Sequence, residues 1–312
     1  MSRTIRTVVT EITPAGAGVK RFVLQDPEGW NLPRFKPGAH VDLCLPGGTL
    51  RTYSLCNPPT EGDRYVVAVK REPKGRGGSI QMHDTLQVGT EIGVSVPRGG
   101  VPVPAGRLIF IAGGIGVTPF LSAAAALVKQ GRTDFTLHLL ARGAPPLADL
   151  LTPLAGQAEL VIHDTAAAPR PDLAALLGAP RPGVMVACCG PQGMTDAFEA
   201  ATQDWPADQV HVERFTPPPV VLDPRALPYT LVLARSGREI DVPLGVSMLD
   251  ALERNGVRVP NSCGGGICGA CKIEWTQGTP IHRDRFLSPQ DRTHALMACV
   301  ALSAEDRLTI DL

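Results

Sequence analysis

Four cysteines near the C-terminus carry the most specific chemistry in the chain: Cys263-x4-Cys268-x2-Cys271, then Cys299 after 27 intervening residues. Three thiolates crowded into nine residues, with a fourth at a distance, match the donor set and spacing of a 2Fe–2S cluster, in which two irons share four sulfur ligands. Gly264, Gly265, Gly266 and Gly269 lie between them. They let the backbone bend around the cluster and turn N–H groups toward its sulfurs, which stabilises the anionic cluster and tunes its potential. A structural zinc ion is the bland alternative. Zinc usually takes paired Cys-x2-Cys knuckles with two ligands on each side, unlike this three-plus-one set.

A second signal is Gly113-Gly114-Ile115-Gly116-Val117-Thr118-Pro119, between an apolar run and an alanine-rich segment. Glycines after a strand and before a helix allow close approach to a dinucleotide, and the helix N-terminus favours pyrophosphate charge. The third glycine of the Rossmann fingerprint is missing at its offset, so a tight turn without a ligand remains open. Cys188-Cys189-Gly190-Pro191-Gln192-Gly193-Met194 is another glycine turn after an apolar strand. The two turns could line one crevice at the strand C-termini.

These residues need elements to position them. Up to about residue 104 the chain has short, partly alternating apolar runs, Val19 to Leu24, Ala39 to Leu45 and Arg64 to Lys70, separated by Gly and Pro clusters. That punctuation predicts an antiparallel barrel or sandwich. From Arg107 the texture changes. Strand candidates Leu108–Ala112, Phe135–Leu140, Leu160–His163 and Val184–Cys188 alternate with helix candidates Pro119–Gln130 and Asp172–Leu177. This α/β alternation predicts a parallel sheet with helices on both faces. Thr216 to Pro228 holds five prolines and reads as a stiff connector. After it come a hairpin, Thr230–Ala234 with Glu239–Val242, and a helix, Met248–Asn255. The expected domains are 1–104, 105–220, a linker at 221–228, and 229–312.

Composition narrows the function classes. Gly and Pro supply 63 of 312 residues, which suits short strands and turns better than a helix bundle. Lysine plus arginine equals aspartate plus glutamate at 30 each, so no basic nucleic-acid footprint is present. Leu108 to Val128 is uncharged over a span long enough to cross a bilayer, but its central glycines and proline favour strand, turn and helix. No membrane association is expected. The N-terminus lacks an apolar signal core, so a cytoplasmic location is expected, where clustered thiols hold metal or do redox chemistry. The seven histidines are scattered and suggest no acid–base triad. Cys44, Cys56 and Cys188 read as small packed hydrophobes.

Together these motifs resemble the phthalate dioxygenase reductase family, within the wider ferredoxin–NADP reductase superfamily. The resemblance covers essentially the whole chain and rests on four ordered motifs: Arg51-Thr52-Tyr53-Ser54-Leu55, the Gly113–Pro119 turn, Cys189-Gly190-Pro191 and the cysteine set. His282-Arg283-Asp284 also looks like this family. The resemblance implies an N-terminal flavin-binding β-barrel with FMN, a central parallel-sheet domain for NADH, and a C-terminal β-grasp plant-type ferredoxin domain. It places Arg51, Thr52, Tyr53 and Ser54 on the isoalloxazine and ribityl chain. Val69 and Lys70 would offer backbone contacts to the flavin, and Arg76, Gly77, Gly78 and Ser79, opening a short helix, would bind its phosphate. Phe215 would lie near the flavin ring; a core aromatic is its alternative. Gly113, Gly114, Thr118 and Pro119 would face the pyrophosphate, Arg142 the adenosine end, and Cys189, Gly190 and Pro191 the nicotinamide. Cys263, Cys268, Cys271 and Cys299 would bind the cluster. Two departures, Asn261-Ser262 before Cys263 and the Gly264-Gly265 pair, bear on the cluster's exposure and potential.

The activity implied is the reductase component of a multicomponent oxygenase or demethylase, with aromatic catabolism as its setting. Electrons pass from NADH through FMN and 2Fe–2S to a terminal oxygenase. Two readings stay open beside it: a redox sensor that turns nothing over, and an FAD enzyme serving another acceptor. NADH over NADPH is favoured because Gly143-Ala144-Pro145-Pro146 adds no charge beside Arg142 for a 2′-phosphate. Asp164 could favour a free ribose hydroxyl or be a simple turn residue. From Pro228 to Leu312 there are 9 Lys/Arg and 10 Asp/Glu, too balanced to predict a steered partner. A monomer is expected.

Overall fold

The computed structural model describes residues 4–75, 77–215, 222–261, 264–266 and 269–312. Arg76, Cys263 and Cys268 lie outside the described residues. The chain divides into two compact units, Met1–Phe215 and Thr216–Leu312.

The first unit opens with six strands, β1 (Ile5–Pro14), β2 (Val19–Gln25), β3 (His40–Cys44), β4 (Leu50–Ser54), β5 (Tyr65–Lys70) and β6 (Glu91–Val94), and one short helix, α1 (Gly78–Asp84). All ladders are antiparallel, in the order β4-β3-β6-β1-β2-β5. The sheet closes on itself because Leu55 bridges Val67 and the Cys56 N–H donates to the Val66 carbonyl at 2.8 Å. Closure turns Val9, Phe22, Leu24, Val41, Leu43 and Val67 into one interior. This is the expected barrel. The pattern-based reading missed β1, β4 and β6.

The chain then builds a parallel sheet: β7 (Arg107–Gly113), β8 (Phe135–Ala141), β9 (Glu159–Asp164), β10 (Val184–Cys189) and β11 (Val210–Glu213). The connections carry α2 (Thr118–Lys129), α3 (Ala148–Leu151), α4 (Leu173–Leu177) and α5 (Gln192–Ala201). Alternate residues of β7 settle the layering. Leu108, Phe110 and Ala112 pack with Phe120, Leu121 and Ala124 of α2, while Ile109 and Ile111 pack with Leu173, Leu177 and Phe198 of α4 and α5. Helices therefore cover both faces, and a two-sided apolar strand is what such burial requires. Among the described residues no helix is long and apolar enough to cross a membrane; the uncharged span from Leu108 is β7, a glycine turn and α2. Barrel residues Val19, Val23, Cys56, Val66 and Ala68 belong to the same core cluster as Phe110 and Phe120. The barrel and the parallel sheet therefore share a core across the expected boundary at 104.

The second unit is a five-stranded mixed sheet with one helix. Its elements are β12 (Tyr229–Leu233), β13 (Glu239–Val242), α6 (Met248–Arg254), β14 (Lys272–Gln277), β15 (Pro280–Ile281), β16 (Ala295–Met297), β17 (Leu302–Ser303) and β18 (Arg307–Ile310). The order is β13-β12-β18-β14-β16, with β15 and β17 paired apart. The first strand β12 and the last strand β18 run parallel at the centre, the β-grasp arrangement. Ser247 caps α6 by accepting the Asp250 N–H at 3.1 Å, and Met248, Leu249 and Leu252 enter the core.

Candidate functional site

In the parallel sheet the strand order is β11-β10-β7-β8-β9, so the direction of winding reverses between β7 and β10. Ligands of open α/β sheets bind at that switch point, beyond the carboxyl ends of the strands. Both glycine turns fall there. A Cβ on Gly113 would lie 2.7 Å from Pro191 Cδ and 2.9 Å from Met194 Sδ; one on Gly116 would enter the Cys189 carbonyl and come within 2.9 Å of the Gly190 nitrogen. The two turns are interlocked backbone to backbone, and side chains there would break the fit. Thr118 and Pro119 are buried in the first turn of α2, and the Thr118 hydroxyl donates to the Ile115 carbonyl at 3.0 Å. They shape the turn and present little surface of their own. Arg142 is exposed at the end of β8. Beside it, Asp164 Oδ1 accepts the N–H groups of Gly143 and Ala166, each at 2.8 Å, and these bonds hold its carboxyl below the usual range. Asp164 thus acts as a turn residue.

The adjacent cysteines ending β10 point to opposite faces. Cys188 lies in the core under α4 and α5 and Cys189 in the core under α2, both fully buried. Burial pushes the Cys188 thiol up to about 12 and the Cys189 thiol well above its ordinary value. Neither is poised as a thiolate nucleophile. Burial likewise pushes Cys56 up to about 12, as expected of packing residues, whereas Cys44 is only half-buried.

On the barrel, β3 and β4 set Asp42 opposite Thr52, Val41 opposite Tyr53 and His40 opposite Ser54. Thr52 Oγ1 donates to Asp42 Oδ1 at 2.7 Å, and Asp42 Oδ2 pairs with Arg98 at 2.6 Å. The Arg51 side chain lies over Gly78, where a Cβ would sit 2.6 Å from its Nε, so the Arg51 motif and the 77–79 turn are brought together. Val69 is different. Its side chain fills the barrel core, and its carbonyl accepts the His83 Nε2–H at 2.8 Å. Ser79 braces its own loop by accepting the Glu72 N–H at 3.0 Å. Lys70 is exposed, and so is Phe215, at 44%. The exposure of Phe215 argues against a simple core role.

One cluster was not read from the sequence. Glu213, ending β11 beside Cys189, stands 3.4 Å from His211 Nε2 and 3.9 Å from His40 Nδ1. His211 and Glu213 are neighbours on β11, but His40 comes from β3, far away in sequence, and no local spacing announces it.

In the second unit, Cys271 immediately precedes β14 and Cys299 closely follows β16. The Lys272–Met297 pairing and the Ala298 N–H donated to the Cys271 carbonyl, 3.1 Å, bring the two thiols to one end of that ladder. A loop separation of 27 residues is thereby closed by sheet hydrogen bonds. Both cysteines are buried. The Gly266 N–H points at Cys299 Sγ, 3.3 Å away, inside the protein. Gly266 has φ +71°, and a Cβ on it would sit 2.8 Å from Val300 and 2.9 Å from the Asp284 backbone. A buried, glycine-lined loop that aims an N–H at sulfur suits an anionic thiolate-bound cluster. Among the described residues no group of three or more metal-ligating side chains is complete; the other two cysteines lie outside them. Sequence reasoning singled out Asp284 without a role and missed Arg292, which reaches Asp284 through space.

Comparison with known proteins adds to this geometry. Residues 231–303 match the family model described as a 2Fe–2S iron–sulfur cluster binding domain. The chain is 38% identical to phthalate dioxygenase reductase of Burkholderia cepacia, over 93% of this chain and 92% of that one. It is 36% identical to the tert-butanol monooxygenase / tert-amyl alcohol desaturase reductase subunit of Aquincola tertiaricarbonis, over 97% and 95%. A solved phthalate dioxygenase reductase, described as a modular structure for electron transfer from pyridine nucleotides to [2Fe–2S], superposes with TM-score 0.75 at 35% identity, over 99% of this chain and 98% of that one. Barrel, switch-point sheet and β-grasp unit follow one another here in a single chain, and relatives match that whole length: the chain belongs to the phthalate dioxygenase reductase family.

Proposed function

We propose that this protein is the NADH-dependent reductase of a multicomponent oxygenase or demethylase, delivering electrons through FMN and a 2Fe–2S cluster to a separate terminal oxygenase. The observation that carries the reading is the coexistence in one chain of an interlocked two-glycine crevice at a topological switch point and a buried cysteine pair with an N–H aimed at sulfur. When bound, nicotinamide supplies two electrons as hydride, FMN handles one or two, and the cluster takes one at a time.

The chain's own residues bind, orient and exclude. Gly113, Gly114, Gly190 and Pro191 would admit the dinucleotide against bare backbone, with Thr118 and Pro119 shaping the turn. Cys189 would border the nicotinamide end through its backbone at the end of β10, its neutral thiol being packed under α2. Arg142 would meet the adenosine end; NADH is preferred because no second cation accompanies Arg142 on the loop through Pro146. Arg51, Thr52, Tyr53 and Ser54 would face the flavin, and Gly77 and Gly78 under Arg51, with Arg76 and Ser79, its phosphate. Lys70 and the Val69 backbone would border the ring; the Val69 carbonyl already accepts from His83, and Val69 pairs with Lys20 in the β2–β5 ladder, so exposed Lys70 is the freer of the two. Phe215 would cover the ring from its exposed position. Cys263, Cys268, Cys271 and Cys299 would hold the two irons. The domain assignment follows: residues 1–104 for FMN, 105–220 for NADH, and 229–312 for the cluster after a 221–228 linker. A cytoplasmic monomer completes the reading; sedimentation velocity tests the monomer.

Anaerobic titration with NADH, followed by visible absorbance and low-temperature electron paramagnetic resonance (EPR), tests the chain of centres. Flavin bleaching together with a growing reduced 2Fe–2S signal is expected. A cluster that only dithionite reduces would reject it, and mass analysis of released flavin separates FMN from FAD.

A further inference from the structure

The Asp284 carboxylate is a conspicuous buried charge in the second unit, its side chain only 1% exposed. A carboxylate leaves water only where hydrogen bonds and an opposite charge compensate it. Oδ2 accepts the N–H groups of Leu287 at 2.7 Å and Phe286 at 3.2 Å, and Arg292 stands 3.5 Å away. The same guanidinium donates to the Asp284 main-chain carbonyl at 2.7 Å. Backbone and side chain of Asp284 are thus clamped together, and the segment from 284 to 287 is folded tightly around the carboxylate.

That segment is the wall of the cluster loop. The Arg285 N–H donates to the Gly266 carbonyl at 3.0 Å, and the Gly266 N–H donates to Cys299 Sγ at 3.3 Å. The two groups flank one residue, so an error in where Arg285 holds the carbonyl becomes an error in where Gly266 aims its N–H. The missing Cβ of Gly266 lets the Asp284 backbone approach, and the Phe286 ring lies against Gly269 in the same loop.

We propose that Asp284 is a positioning residue for the iron–sulfur centre, acting through Arg285 and Gly266 to keep an N–H aimed at Cys299 sulfur. This rests on the reading that the four cysteines bind a 2Fe–2S cluster. An N–H donated to sulfur stabilises the more negative, reduced state, so its loss moves the potential down. A hydrogen bond to a charged group is worth about a factor of ten in the reduction equilibrium, or about 59 mV for one electron.

The experiment is a redox titration of holoprotein monitored by cluster EPR, in the wild type, Asp284→Ala, Asp284→Asn and Arg292→Gln. Asp284→Ala is expected to lower the cluster potential about tenfold in equilibrium constant, with altered g-values and an unchanged flavin potential. Asp284→Asn keeps one acceptor oxygen for Leu287 and Phe286 and is expected to recover most of the shift. Arg292→Gln loosens the clamp without opening a cavity at 284 and gives an intermediate shift; it decides the matter if Asp284→Ala cannot retain a cluster. Variants that lose some cluster while the remainder keeps the wild-type potential and g-values would overturn the proposal, since purely structural support predicts that result. A wild type without any reduced-cluster signal would instead reject the cluster reading itself.

Discussion

The nucleotide crevice and the cluster loop solve opposite problems with the same residue. At the crevice, Gly113, Gly116 and Gly190 matter for what they lack: two turns from adjacent strands interpenetrate, and any Cβ collides with backbone or Met194. At the proposed cluster loop the groups that matter would be side chains, the cysteine sulfurs, and Gly266 aims an N–H at one of them, Cys299 Sγ. One site is made by removing atoms and the other by positioning donors. The first should therefore fail sterically and by degrees, the second by loss of a ligand and outright.

The largest expected effect follows from that contrast. Cys299→Ala removes a proposed cluster ligand from an end of the β14–β16 ladder where no other described cysteine except Cys271 is near. The reduced-cluster EPR signal should vanish, while NADH still bleaches the flavin. An intact cluster signal in this variant would mean that another residue ligates the iron.

Next in size is Gly116→Ala. Its methyl would overlap the Cys189 carbonyl, and overpacking of this kind costs about 1–3 kcal/mol, or about 5- to 150-fold in NADH-driven flavin reduction if the crevice must shift to relieve it. Stopped-flow reduction measures it, with dithionite reduction of the cluster as the unaffected control. Equal damage to both readouts would dissolve the contrast between the regions.

The smallest effect concerns pH. His138 Nδ1 and His163 Nε2 lie 3.1 Å apart on β8 and β9. Burial, then the His163 ring, hold the His138 imidazole below its ordinary value. The folded state then binds fewer protons than the unfolded chain, so stability is complete above the ordinary histidine value of about 6.5 and declines as pH falls below it. Denaturant unfolding of the first unit between pH 7.5 and 5.5 should show this slope, and His138→Gln should flatten it. An unchanged slope in the variant would assign the effect to other groups.

Much of this was legible from local pattern. Leu108–Ala112 read as a buried strand and the glycines after it as a turn, and β7 and the turn into α2 bear this out. The Cys-x4-Cys-x2-Cys spacing names its metal chemistry without any fold. What the sequence did not reveal depends on contacts between distant segments. The Arg51–Ser54 motif sits on β4, whose Arg-Thr-Tyr alternation does not resemble an apolar strand until Asp42 and Gly78 are placed beside it. Glu213 gains His40 only when β11 is folded beside the barrel. Val69 and Ser79 match family positions, yet His83 and Glu72 already engage one polar group of each.

The core that runs from Val19 and Val66 of the barrel to Phe110 and Phe120 of the sheet also has a consequence for heredity. A gene cut near residue 104 would yield two pieces, each baring an apolar wall, and neither would be a viable protein on its own. A cut between Phe215 and Thr216 follows the division between compact units. The barrel and the parallel sheet are thus bound into one inheritable block by a common interior, and the chain's natural seam lies after Phe215.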